Sequence, residues 1–337
     1  MSETLLEIED LSVVFGKGER AFRAVDQVSM SLSAQDVLAV VGESGSGKSV
    51  TMMALMGLLP STANISAKTL RFNGMDLQTM SKKQKRQIIG KDVSMIFQDA
   101  MTSLNPSFTV EMQITEVLKT HLGLKGAAAH QRCVELLELV EIPDAKNRLK
   151  VYPHQLSGGM SQRVMIAMSL ACNPSLLFAD EPTTALDVTV QAQILDLLKR
   201  LNRELNTTLV LITHDLGVVA SICQRVLVMY AGQIVESAPV HSLFAEPRHP
   251  YSLGLLQSVP RPDFQGKRLL AIDGHPPDLL IPPSGCAFLP RCRFAMQACL
   301  EAPPLFDLAE NRQSRCWLNH PDSPHDVRVA LAVRGAL

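Results

Sequence analysis

The sequence predicts an α/β fold: a mostly parallel sheet covered by helices, followed by a loop-rich C-terminal extension. Three observations lead there. Apolar strand-like runs alternate with helix-like segments through the first ~245 residues. One strand-to-helix junction is glycine-rich and ends in a lysine. Past residue 246 the composition changes: thirteen of the twenty prolines lie between Pro247 and Pro324, with four of the seven cysteines. Proline removes backbone donors and disfavours helix interiors, so this tail needs something other than long helices to hold it. At ~150 residues per domain, 337 residues leave room for a body at 1–245 and an extension at 246–337.

The elements follow in order. Residues 5–15 alternate apolar and polar in part and suit a strand. Residues 37–41 form a buried-strand run ending at Gly42, and 47–59 read as a helix stopped by Pro60. Residues 109–151 have helical periodicity, with Val134, Leu136, Leu137 and Val140 on closely spaced turns. Residues 93–97 and 176–179 read as buried strands, 188–205 as a long amphipathic helix, and 209–213 and 226–230 as further strands.

Charge and hydropathy exclude several classes. With 32 basic and 33 acidic residues the net charge is −1, which is not that of a generally basic nucleic-acid binder. No apolar run approaches the ~18 residues of a membrane helix, and the N-terminus has no basic region before an apolar stretch. A cytosolic location is therefore expected, where cysteines serve as thiols or metal ligands more than as disulfides. Cys133, Cys172 and Cys223 sit in helix-like apolar settings and are expected to be buried as small hydrophobes.

Gly42-Glu43-Ser44-Gly45-Ser46-Gly47-Lys48-Ser49, followed by Val50, matches the phosphate-loop pattern in full. The glycines let successive N–H groups turn toward phosphate oxygens, and the positive end of the next helix faces the same point. Lys48 can reach the β- and γ-phosphates, and the Ser49 hydroxyl can ligate Mg²⁺. A second strand, Leu176-Leu-Phe-Ala-Asp180-Glu181, ends in two carboxylates. Asp180 is placed to hold Mg²⁺ and Glu181 to act as general base toward water. Between them Leu156-Ser157-Gly158-Gly159-Met160-Ser161-Gln162 opens an apolar helix with Ser157 as a natural N-cap. One nucleotide does not need two anion-receptive helix starts. The pair makes sense if two subunits close on each other's γ-phosphate.

These residues together resemble the ATP-binding-cassette (ABC) ATPases, over nearly the whole chain. The resemblance implies a phosphate-loop NTPase fold with an antiparallel β subdomain and a helical subdomain at about 101–171. It implies an ATPase using ATP and Mg²⁺. Gln98 matches the loop glutamine that touches Mg²⁺ or its water. Asp187 matches the aspartate loop between nucleotide subunits, and His214 the switch histidine near the γ-phosphate. Phe15 matches the aromatic that stacks on adenine, with Phe22 as the competing choice. Arg248-His249-Pro250-Tyr251, residues 94–106 and residues 153–168 further resemble the oligopeptide/dipeptide importer subfamily, with Ala100 departing from a common proline. That resemblance implies a second, non-identical ATPase subunit, two membrane permeases and a periplasmic or extracellular peptide-binding protein as partners, and no nucleic acid. It places the chain as a peripheral subunit on the cytoplasmic face of a bacterial inner membrane. One alternative keeps the machinery and changes the cargo to nickel, oligosaccharides or antimicrobial peptides, since relatives with those cargoes can share a similar tail. A soluble ABC ATPase acting on nucleic acid or ribosomes is the remaining alternative.

Cys286-x5-Cys292-x6-Cys299-x16-Cys316 lacks the paired knuckles of common zinc sites and differs from the bacterial ferredoxin run. Spacing alone leaves free thiols, zinc and an iron–sulfur cluster open. The subfamily resemblance implies a [4Fe–4S] cluster on these four cysteines.

Overall fold

The computed structural model describes residues 4–18, 21–184, 186–259, 271–309 and 311–323. Met1, Ser2, Glu3 and Ala185 lie outside the described residues. So do the parts of the 246–337 extension at 260–270, 310 and 324–337, with Pro260, Pro262 and Pro324. The chain divides into two compact units, each assembled from separated stretches.

Among the described residues, the first unit comprises 4–5, 32–37, 72–184 and 186–212. Its strands Val93–Ile96, Leu176–Asp180 and Thr208–Ile212 are parallel neighbours, with Val93 opposite Leu176 and Leu176 opposite Thr208. All three strands are fully buried, which explains their largely apolar sequences: a sheet covered on both faces leaves no polar side. The helices Val110–Leu122, Gly126–Leu139 and Gly158–Leu170 pack on one another, with Ile114, Leu118, Cys133, Leu137 and Ile166 wholly buried. The expected stretch of helix at 109–151 is thus two long helices and the short Ala145–Arg148. Gly123 ends the first of them in a left-handed turn that returns N–H groups to its last carbonyls. Val188–Glu204 is the amphipathic helix, capped by Asp187.

Among the described residues, the second unit comprises 6–18, 21–31, 38–71, 213–259, 271–309 and 311–323. Strands Phe22–Ser33, Thr4–Phe15 and Thr69–Phe72 follow one another in a small sheet. Ala63–Ser66 also pairs antiparallel with Thr4–Phe15. A larger sheet runs from Val37–Val41 to the parallel Arg225–Tyr230. Gln233–Pro239 follows antiparallel, and then the tail strands Arg312–Ser314 and Phe306–Ala309. The tail therefore adds strands to the sheet that contains the strand feeding the glycine-rich loop. Helix Lys48–Met56 ends at Gly57 in the left-handed conformation, three residues before the expected stop at Pro60. The proline-rich tail also admits the helix Pro250–Gln257, because Pro250 occupies its first turn, where no intrahelical N–H is needed.

Candidate nucleotide site

In the second unit, Val37–Val41 delivers the chain into the loop with every residue buried. Two glycines are required by close approach. A Cβ on Gly42 would lie 2.2 Å from the Met229 carbonyl oxygen, and one on Gly47, at φ +100°, would lie 2.6 Å from that of Ala24. The helix that follows has no side-chain cap at its start, and an uncapped helix start can receive an anion. Lys48 is buried. Its Nζ donates to the carbonyls of Gly42 and Glu43, both at 2.8 Å, and to Ser46 Oγ at 3.3 Å. The Ala231–Gly232 turn braces the loop, with Gly232 N–H donating to Ser46 O at 3.0 Å. Thr213 N–H donates to Val40 O, so His214 stands beside the strand that feeds the loop. Phe15 and Phe22, the two candidates for adenine, stack on each other with centroids 5.4 Å apart.

In the first unit, Asp180 is buried at the end of its strand. Glu181 follows with φ +44°, a left-handed backbone in a residue that is not glycine. Such strain costs about 1–3 kcal/mol and gathers at functional sites. It is held by Glu181 N–H donating to Ile212 O and by Thr184 N–H donating to Glu181 O. The carboxylate Oε2 accepts from Gln98 Nε2 at 3.1 Å and from Thr184 Oγ1 at 2.8 Å. Gln98 and Glu181 are thus brought together across 83 positions of sequence. Thr184 was not singled out by the sequence, although it lies in the same turn.

Ser157 caps the helix Gly158–Leu170 through Oγ, which accepts from Met160 N–H. A Cβ on Gly159 would come within 2.8 Å of Val190 Cγ1, so that glycine lets the helix start lie against Val188–Glu204. Arg163 pins the same helix by donating to Val140 O at 2.7 Å and to Glu141 at 3.1 Å. Asp187 is an N-cap, accepting from Val190 N–H at 2.9 Å.

The Arg248-His249-Pro250-Tyr251 segment is a buried polar junction. Glu236, fully buried, accepts from the N–H groups of Arg248 at 2.8 Å and His249 at 2.9 Å. Burial raises its carboxyl to about 7. His249 Nδ1 accepts from Tyr251 N–H at 3.0 Å. Burial lowers this imidazole to about 3, so it is neutral, and the bond from Tyr251 N–H makes Nδ1 the unprotonated nitrogen.

All four tail cysteines are free, with Cys299 and Cys316 buried. Cys286 N–H donates to Cys299 O at 2.9 Å. Burial raises Cys292 to about 11, with repulsion from Cys286 and Cys299 adding to it. Cys316 is pushed higher by burial and by the other three thiolates. Four soft donors in one unit suit a soft metal centre chemically. Among the described residues, however, no three His, Cys, Asp or Glu side chains are gathered as a metal ion would need, so the expected cluster has no preassembled ligand set. Of the other three cysteines, Cys133 is buried as expected, whereas Cys172 and Cys223 are only partly covered, at or beyond helix ends.

A phosphate loop, a Ser-Gly-Gly helix start and a strand-end carboxylate pair define an ATP-binding-cassette ATPase, and the chain belongs to the ABC transporter family. The ABC transporter family profile matches residues 25–184, and that of the oligopeptide/dipeptide transporter C-terminal region matches residues 235–299. The dipeptide transport ATP-binding protein DppD of Escherichia coli is 52% identical over 93% of this chain and 96% of its own. The oligopeptide transport ATP-binding protein OppD of Salmonella typhimurium is 50% identical over 94% of each. Among solved structures, a dimeric ATP-binding cassette, MJ0796, bound to ADP and Pi aligns with a TM-score of 0.60 at 26% identity. The alignment covers 70% of this chain and 98% of that one. The fold is the ABC nucleotide-binding fold and the enzyme class is ATPase. Among the described residues, no helix is long and apolar enough to cross a membrane.

Proposed function

We propose that this chain is the ATP-hydrolysing subunit that powers import of dipeptides and oligopeptides. It would work as a body at 1–245 with an extension at 246–337, on the cytoplasmic face of a bacterial inner membrane. Its partners would be a second, non-identical ATPase, two permeases and an external peptide-binding protein. The observation that carries this reading is the match of the tail, residues 235–299, to the oligopeptide/dipeptide C-terminal region on the same chain as the ATPase match.

In the proposed cycle Lys48 and the loop N–H groups from Ser44 to Val50 bind the phosphates, and Phe15 stacks on adenine. Ser49, Gln98 and Asp180 would hold Mg²⁺, which when bound would offset phosphate charge. Glu181 draws a proton from water, and His214 holds that water and the γ-phosphate in line. Ser157, Gly158, Gly159 and Asp187 serve the partner's nucleotide. The Gln98 and Thr184 hydrogen bonds to Glu181 support the base role, since they fix the carboxylate that must accept the proton. Uptake of a labelled dipeptide by cells deleted for other peptide systems tests the function, with labelled amino acid as control. Selective loss in Glu181→Gln cells supports it. Unchanged dipeptide uptake would move the cargo to nickel or another solute.

We further propose that Cys286, Cys292, Cys299 and Cys316 bind a [4Fe–4S] cluster. The four-thiol donor set supports this, and a metal staple would supply folding free energy to a loop-rich tail. Iron and sulfide analysis of anaerobically purified chain tests it. Four irons per chain support the cluster; zinc or no metal overturns it.

A further inference from the structure

The phosphate loop is gripped by the C-terminal region at Glu43. Arg291, whose side chain is 4% exposed, forks onto the Glu43 carboxylate, with Nη1 to Oε2 at 2.6 Å and Nη2 to Oε1 at 2.9 Å. The same guanidinium donates to Tyr230 Oη at 3.3 Å, Asp273 O at 3.0 Å and Ile272 O at 3.4 Å. Glu43 N–H donates to Tyr251 Oη at 2.8 Å, and Tyr251 is wholly buried. Pro276, Pro277 and Leu279 border, with residues 43–46, a cavity of only about 20 Å³, so the tail lies against the loop.

Two consequences follow for a polyphosphate. Glu43 O accepts from Lys48 Nζ and from Ser46 N–H, so whatever fixes Glu43 fixes the curl of the loop and the seat of its lysine. The Glu43 carboxylate is also a negative charge within the phosphate-binding motif, and a like charge disfavours an incoming anion. A bidentate guanidinium answers both, since it is directional and cancels the charge.

We propose that Arg291 and Tyr251 make the C-terminal region part of the nucleotide site, as positioning residues that orient Glu43 and neutralise it for ATP binding. The proposal rests on the loop being the nucleotide site, which Lys48→Ala tests separately. The experiment is titration of the full chain with a fluorescent ATP analogue, with thermal melting to check folding. Arg291→Ala should weaken binding about tenfold, which is ~1.4 kcal/mol. Adding Glu43→Gln should recover most of the loss, because the bare carboxylate is gone. Tyr251→Phe should weaken binding two- to threefold. In turnover assays of Arg291→Ala the effect should fall on KM more than on kcat. A folded Arg291→Ala that binds within twofold of wild type overturns the proposal. So does a loss that Glu43→Gln leaves untouched, which is what mere loss of tail packing would give. If Arg291→Ala does not fold, Arg291→Lys carries the test: it keeps the charge but not the fork. A threefold weakening supports the proposal and unchanged binding overturns it. Failure of Arg291→Ala alongside a damaged Lys48→Ala would sink this inference and leave the loop assignment standing.

Discussion

The phosphate loop and the C-terminal tail belong to one unit but are held by different physics. The loop is shaped by main chain. Gly42 and Gly47 pass so close to the Met229 and Ala24 carbonyls that no side chain fits, and Lys48 is seated on carbonyl oxygens. The tail has few ladder hydrogen bonds and is fastened by side chains: Glu236 and His249 in one buried junction, and Arg291 on Glu43. A backbone-built site is intolerant of an added methyl and indifferent to pH. A side-chain-built one tolerates small changes of shape but responds to charge and protonation.

The harshest break of that contrast is Gly47→Ala. Its φ of +100° is strained for alanine, and its Cβ would sit 2.6 Å from backbone that cannot swing aside. The cost is about 1–3 kcal/mol, and it falls on the loop. ATP binding should weaken tenfold or more, while the melting temperature of the chain moves by only a few degrees. A variant that binds ATP normally would show that the loop is less backbone-determined than its contacts imply.

What the sequence made legible divides along the same line. Backbone function at the loop demands glycines at fixed spacing, so Gly42 to Ser49 read directly, as did the fully buried strands Val37–Val41 and Leu176–Asp180. Phe22–Ser33 was not read as a strand. Its buried residues step from Val25 to Val28 across Gln27, whose φ is +50°, so the period of two slips there. The tail strands Phe306–Ala309 and Arg312–Ser314 are short; they pair with each other, and Arg312–Ser314 joins the sheet through Gln233–Pro239, a partner no local window contains. Arg291 and Glu43 are 248 positions apart and leave no local pattern. The left-handed backbone of Glu181 was also invisible, because it is imposed by the Ile212 and Thr184 hydrogen bonds.

The buried junction sharpens the comparison through pH. Glu236 titrates at about 7 when folded against 4.5 in the open chain. It therefore contributes stability that is full below pH 4.5 and is lost as pH rises to about 7. His249 titrates at about 3 against 6.5, so its contribution is full above pH 6.5 and is lost as pH falls to about 3. Between pH 4.5 and 6.5 the two slopes oppose. In Glu236→Gln only the histidine slope remains, so the melting temperature should climb steadily with pH across that window, where wild type is nearly flat. Identical profiles for the two proteins would mean that these groups do not titrate as a pair of opposed buried sites.

The smallest effect is the control on what a tail charge is worth. Arg293 lies two residues from Arg291 and pairs with Asp273 at 3.2 Å, but the two side chains are 48% and 84% exposed. Water screens such a pair to about 0–1 kcal/mol. Arg293→Ala should melt within a degree or two of wild type and bind ATP unchanged. The two arginines carry the same charge on the same stretch of chain, so net charge and proximity to the tail cysteines are matched. They differ in burial and in what the guanidinium holds. Equal losses of ATP affinity in the two variants would trace the effect to the general positive field of the tail and remove the special standing of the Glu43 contact. A loss confined to Arg291 would tie it to the arginine's grip on the loop.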